Sequence, residues 1–249
     1  MYLDGSVTVC NHAHNGRSTE TFRNEGHFDL IQKQLRPGDF VVIQFGHNDQ
    51  KHPHLQAYNG YPENLRRFIA EIRAKKALPI LATPIARNVW TEQNGKLTYN
   101  DLLHDHAQAC IALGKELNVP VLDLHQAAMD EIIRLGRDAS KIYYHQGDWT
   151  HTNDYGAVRA AGYAADELRS LGEAFPDYLP LIQTVSASSE PWKPEAALLL
   201  EKPARLAGVK DPNGTEEETA AQDHQAEKDG GDALARLLAA VQSACGQSV

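Results

Sequence analysis

Three short polar clusters hold the side chains best suited to chemistry: Asn15-Gly-Arg-Ser-Thr19, Gly46-His-Asn-Asp-Gln-Lys51 and Gly147-Asp-Trp-Thr-His-Thr-Asn153. In the third, Asp148 and His151 stand three apart. In a loop, that spacing lets the carboxylate hold one imidazole nitrogen while the other faces a nucleophile, the orienting partner and base of a hydrolytic triad. In the second, Asn48 offers an uncharged amide NH2 suited to a developing oxyanion, and Asp49 can brace the loop. In the first, Gly16 permits a turn closed to other residues and leaves its N–H unobstructed. Taken alone, that cluster reads first as an ordinary strand-to-helix turn capped by Ser18 or Thr19. His47, His52 and His54 raise the question of a metal site. They lack a fixed pair spacing on one helical face and have no cysteine partner, so no metal is expected.

The elements that must position these clusters follow from periodicity. Residues 7–9, 40–45, 79–82 and 119–124 are short, mostly apolar and β-branched, as strands buried on both faces are. Between them lie helical patterns. Over 99–118, Leu103, Ala107, Cys110, Ile111, Gly114 and Leu117 share one stripe; over 156–171, Ala157, Ala160, Ala161, Ala164, Leu168 and Leu171 do. Strand, helix, strand in repetition predicts a parallel sheet with helices on both faces, and places chemistry in the loops leaving the carboxyl ends of the strands. The polar clusters fall there, with Pro84-Ile-Ala-Arg87 in the loop after 79–82.

Composition bounds the rest. The 249 residues are 42% hydrophobic and 23% charged, enough for one sizeable domain. Net charge is −9 and no basic stripe is present, so nucleic acid is not an expected partner. No apolar run approaches the roughly 18–20 residues that a bilayer-spanning helix needs, so no membrane span is expected. Cys10, Cys110 and Cys245 are odd in number and lack paired spacing, which predicts free thiols. Residues 1–185 read as the domain. Residues 186–249, with eleven acidic against six basic groups, read as an acidic, largely disordered tail with short helices at 195–206 and 232–241.

Taken together, Asn11-His-Ala-His-Asn-Gly-Arg-Ser-Thr19, Gln44-Phe-Gly-His-Asn-Asp-Gln-Lys51, Thr83-Pro-Ile-Ala-Arg87 and Asp148-Trp-Thr-His-Thr-Asn153 with Gly156-Ala157 resemble the SGNH/GDSL hydrolase superfamily, and within it the rhamnogalacturonan acetylesterase group of carbohydrate esterases. The resemblance implies a flavodoxin-like three-layer α/β/α fold and a cofactor-free serine esterase acting on acetylated pectic polysaccharide. Carried over, Gly16 and Asn48 become oxyanion donors, His151 the general base and Asp148 its orienting partner. His47 and Arg87 could contact sugar hydroxyls or a uronate carboxylate, and Trp149 could stack on a sugar ring; a structural role remains open for each.

One block of that pattern is missing. The Gly-Asp-Ser that supplies the nucleophile after the first strand does not occur in the sequence. Ser6, in Asp4-Gly-Ser6, would sit at the amino end of residues 7–9, a strand's length of about 10 Å from the catalytic edge. Ser18 lies on the right edge, but its Gly-Arg-Ser segment has another place in the pattern. The expectation is therefore that Met1 is internal to a longer, secreted or periplasmic protein whose first strand lies between 7–9 and 40–45 in a 2-1-3-4-5 sheet. The chain as given is expected to be inactive as an esterase and poorly stable. A non-catalytic carbohydrate-binding remnant of the same fold is the alternative, and a metal-dependent hydrolase a third.

Overall fold

The computed structural model describes residues 2–186. The tail expected beyond them, with its helices at 195–206 and 232–241, lies outside the described residues.

The chain enters its first helix, α1 (Thr19–Asn24), through a capping box: the Ser18 hydroxyl accepts from Thr21 N–H, and the Thr21 hydroxyl accepts from Ser18 N–H. Next come α2 (His27–Gln34), β1 (Phe40–Gln44), α3 (Gly60–Ala74) and β2 (Leu78–Ala82). A hairpin follows, β3 (Trp90–Gln93) and β4 (Lys96–Tyr99), and then α4 (His104–Leu117), which ends on Asn118 at φ +49°. Asp123 separates β5 (Val121–Leu122) from α5 (Leu124–Leu135) and caps that helix by accepting from Gln126 N–H at 3.2 Å. The last long helix, α6 (Asp154–Leu171), starts on Asn153, whose side chain accepts from Gly156 N–H at 2.9 Å; the short α7 (Leu179–Ile182) closes the fold.

The sheet is parallel, in the order β1-β2-β5, with Phe40 opposite Leu78 through Gln44 opposite Ala82, and Leu81 and Ala82 opposite Val121 and Leu122. Alternation along the strands sorts the core into two halves. Ile43 and Leu81 point into one cluster with Phe22, Phe28, Leu65, Phe68, Ile72, Cys110 and Leu113 of α1 to α4. Ile80, Ala82 and Leu122 point into the other with Ala128, Ile132, Tyr163, Leu168 and Leu181 of α5 to α7. The fold is thus α/β, with helices covering both faces of a parallel sheet, as the alternation of periods predicts. Each fully buried Leu or Ile of β2 contributes roughly 1.5–3 kcal/mol through its removal from water.

Four sequence expectations need correction. Residues 7–9 form no strand: no described strand lies beside them to complete a ladder, and Val7 packs instead at the margin of the α5–α7 cluster. The run 40–45 is not buried on both faces. β1 is an edge, and Val42 is 55% exposed. The run 119–124 shortens to two strand residues because Asp123 caps α5 and Leu124 already belongs to that helix. The pattern from 99 begins as a helix only at His104, since Tyr99 pairs with Trp90 in the hairpin.

Candidate functional site

Leaving β1, the chain turns sharply at Gly46, whose φ is +135° and whose Cβ position would lie 2.9 Å from Pro84 Cγ. Only glycine fits a backbone that is both left-handed and this close to a ring. The turn brings Asp49 inward to complete burial. Its Oδ2 accepts from Gly46 N–H at 3.1 Å, and its Oδ1 accepts from the Thr19 N–H at 3.0 Å and the Thr19 hydroxyl at 2.5 Å. Asn64 of α3 donates its amide to the same Thr19 oxygen at 3.0 Å, which turns the hydroxyl proton toward Asp49. Burial pushes the Asp49 carboxyl above its ordinary range, against the Thr19 and backbone hydrogen bonds that pull it down. The 16–19 turn, where Gly16 takes φ +69°, and the loop carrying Asn48 are therefore fastened together by one carboxylate. Among the described residues, the Asn48 side chain itself has no hydrogen-bond partner.

The loop after β2 is fastened to this one. His47 Nε2 faces the Ile85 carbonyl at 3.0 Å, and Arg87 Nη2 donates to the His47 carbonyl at 3.2 Å. A carbonyl can only accept, so Nε2 carries the proton and Nδ1 is left as an acceptor. Burial, with the Arg87 guanidinium beside it, pushes the His47 imidazole down to about 3. Sequence reasoning missed a pair formed by buried His125: its Nδ1 donates to the Pro84 carbonyl at 3.1 Å, and its Nε2 lies 3.0 Å from Oδ2 of half-buried Asp101. Thr83 joins it, accepting from His125 N–H and donating to Asp123 Oδ1.

The third cluster is held by strand-like pairing of Tyr144 with Thr152, by His145 N–H donating to the His151 carbonyl, and by the Asn153 amide, which donates to the Ile142 and Tyr144 carbonyls. Within this frame, His151 Nδ1 lies 2.7 Å from Asp148 Oδ2, while Asp148 Oδ1 accepts from the N–H groups of Thr150 and His151 at 2.6 and 3.0 Å. Burial alone would raise the Asp148 carboxyl; the imidazole and the two N–H donors outweigh it and hold the group below its ordinary value. With Nδ1 donating to an ionised carboxylate, Nε2 of neutral His151 is a proton acceptor.

Asn88 connects this loop to the one after β2, donating its N–H to the Trp149 carbonyl at 2.8 Å. Trp149 is 52% exposed. Gly16, His47, Asn48, Arg87, Asp148, Trp149 and His151 are thereby brought along one sheet edge by direct bonds between their loops. The serines are not brought into this set as nucleophiles: Ser18 is consumed as a helix cap, and the Ser6 hydroxyl donates to Asp4. Among the described residues, no three His, Cys, Asp or Glu side chains converge as a metal site, and no helix is long and apolar enough to cross a membrane. Asn64 and His125 gave no local sequence signal, because their partners are distant in the chain.

Residues 2–165 match the GDSL-like lipase/acylhydrolase family. Over 192 residues, 72% of this chain and 81% of the relative, the sequence is 34% identical to the rhamnogalacturonan acetylesterase RhgT of Bacillus subtilis. It is 29% identical over 198 residues to a rhamnogalacturonan acetylesterase of Emericella nidulans, covering 70% of this chain and 78% of that one. The crystal structure of protein YxiM from Bacillus subtilis superposes with a TM-score of 0.59 at 30% identity, covering 70% of this chain and 49% of that longer one.

Proposed function

Because this chain belongs to the GDSL-like lipase/acylhydrolase family, we propose that its site is built to remove acetyl groups from pectic polysaccharide, in the manner the rhamnogalacturonan acetylesterase names of its relatives describe. The observation that carries the reading is the Asp148–His151 pair, set with Nε2 as an acceptor on the edge that also holds Asn48 and the Gly16 turn.

In this mechanism a serine Oγ attacks the acetyl carbonyl carbon as its proton passes to His151 Nε2. The carbonyl electrons move onto oxygen, where Gly16 N–H and the Asn48 amide receive the charge. Collapse of the tetrahedral species breaks the ester C–O bond, and the sugar oxygen leaves with the proton from His151. Water, deprotonated by His151, then attacks the acyl-serine; the acyl–Oγ bond breaks, Oγ takes the proton back from His151, and acetate departs. Asp148 holds the imidazole and balances its transient charge. His47 and Arg87 would meet sugar hydroxyls or a uronate carboxylate, and Trp149 a sugar face. No cofactor enters.

The serine belongs to a Gly-Asp-Ser block that the sequence lacks. The reading places that block on a strand along the open side of β1, where Val42 and one line of backbone groups stand uncovered. The 249-residue chain by itself is accordingly proposed to be inactive. The test is hydrolysis of an activated aryl acetate by the purified chain, alone and extended by an upstream in-frame segment containing Gly-Asp-Ser. Turnover only in the extended protein is expected; robust turnover by the chain alone, abolished by Ser18→Ala, would overturn the assignment. The missing block also favours a second reading, a carbohydrate-binding protein without catalysis, which predicts glycan binding and no acetate release from either form.

A further inference from the structure

The β3–β4 hairpin contributes to the core only at its root, where Trp90 and Tyr99 meet edge-to-face. All eight residues from Thr91 to Thr98 are exposed. A two-stranded ribbon of this kind has little stability of its own in water, so its orientation depends on its anchor. That anchor is the site itself. Tyr99 donates its hydroxyl to the Arg87 carbonyl at 2.9 Å, and Trp90 donates its indole N–H to Asn88 Oδ1 at 2.6 Å. Asn88 is the residue whose N–H meets the Trp149 carbonyl. The ribbon is therefore an arm rooted between Arg87 and the loop that carries His151.

Its two faces differ. The register pairs Thr91 with Thr98, Glu92 with Leu97 and Gln93 with Lys96. Alternation puts Glu92 and Leu97 on the face of Trp90 and Tyr99, and Thr91, Thr98, Gln93 and Lys96 together on the other. This second face offers two hydroxyls, a carboxamide and an ammonium, with no apolar side chain and no carboxylate. Among the described residues, none of these four side chains has a hydrogen-bond or ion-pair partner. A strip of hydroxyl-scale hydrogen-bonding groups with one uncompensated positive charge complements a chain of hydroxyls punctuated by carboxylates.

We propose that this face of the β3–β4 hairpin is a binding strip for an anionic, uronate-containing glycan, holding the polymer beyond the reacting sugar with Lys96 on a uronate carboxylate. The inference rests on the pectic reading of the site, and extends it to residues outside the catalytic edge. Trp149, which is 52% exposed, is tied to the root of the hairpin through its carbonyl on Asn88 N–H.

The test is calorimetric titration of the full 249-residue chain with unesterified oligogalacturonides, and with neutral oligoglucosides of equal length. Binding to the anionic oligomer alone is expected, weakening as salt is raised. Lys96→Glu should reduce affinity about tenfold, and Thr91→Ala with Thr98→Ala about threefold, with unchanged circular dichroism. Affinity of these variants equal to that of the parent chain would overturn the strip, as would equal binding of the neutral oligomer or no binding of either. Acetate release is not read here, so failure of the esterase mechanism leaves this result interpretable. A chain that deacetylates once extended, yet binds through residues other than the hairpin, would refute the strip alone.

Discussion

Asp49 and Thr19, thirty residues apart in sequence, meet in the interior through a single carboxylate oxygen that accepts both the backbone N–H and the hydroxyl of the threonine. With its other oxygen Asp49 holds Gly46 N–H, so one buried group fixes the relative position of the two turns assigned to the oxyanion. Replacing it by alanine strands three buried donors. Asp49→Ala is expected to cost about 1–3 kcal/mol, the range for leaving buried donors unsatisfied, read from urea unfolding midpoints. A loss under about 1 kcal/mol would mean that water or a neighbour supplies the acceptor.

Because the Asp49 carboxyl is raised and the Asp148 carboxyl lowered, the two act on stability in opposite directions as pH changes. The lowered Asp148 group binds its proton less readily when folded. Its contribution is fully present above its unfolded value of 3.8 and is lost as pH falls through the lower folded value. Asp148→Asn should flatten that acid limb and cost about 1–3 kcal/mol near neutrality, through the weakened bonds to His151 and Thr150. An unchanged acid limb in the variant would rule out an ionised Asp148 as its source.

How much of this was legible in the sequence depends on how local each signal is. Residues 40–45 and 79–82 announce strands because short, mostly apolar runs between helical patterns have few other uses, and the Asp-x-x-His spacing lies within one loop. The hairpin escaped notice although Asn94-Gly95 is a favoured turn pair, with φ of +52° and +73°, because Thr91 to Thr98 lack the apolar alternation of a core strand. Asn64 on Thr19, and His125 between Pro84 and Asp101, are created only by tertiary packing. Residues 7–9 read as a strand by composition, but a strand is a pairing, and composition does not supply the partner.

The open side of β1 gives a prediction about association. Phe40 to Gln44 carry no charge and no proline, and Val42 faces solvent, features that invite edge-to-edge pairing between molecules. Val42→Lys should leave unfolding free energy within about 0.5 kcal/mol of the parent, as exposed substitutions do. It should also lower the aggregated fraction measured by light scattering. A large stability loss would show that Val42 is covered in solution.

His47 is held apart from proton chemistry by its surroundings, and this is measurable without substrate. His47 gives its Nε2 proton to the Ile85 carbonyl, and burial with the Arg87 charge close by pushes its imidazole down to about 3. Unfolded, the same side chain takes a proton near 6.5. Between those values the unfolded chain binds a proton that the folded chain refuses, so His47 contributes a loss of stability as pH falls through that window. The imidazole remains neutral wherever an esterase reaction at His151 would run, which keeps a second positive charge away from the base. Its ring signals, assigned by their disappearance in His47→Gln, should stay fixed between pH 5 and pH 8 in two-dimensional NMR. A midpoint near 6.5 would mean that the ring is solvated and that the Ile85 contact does not persist in solution.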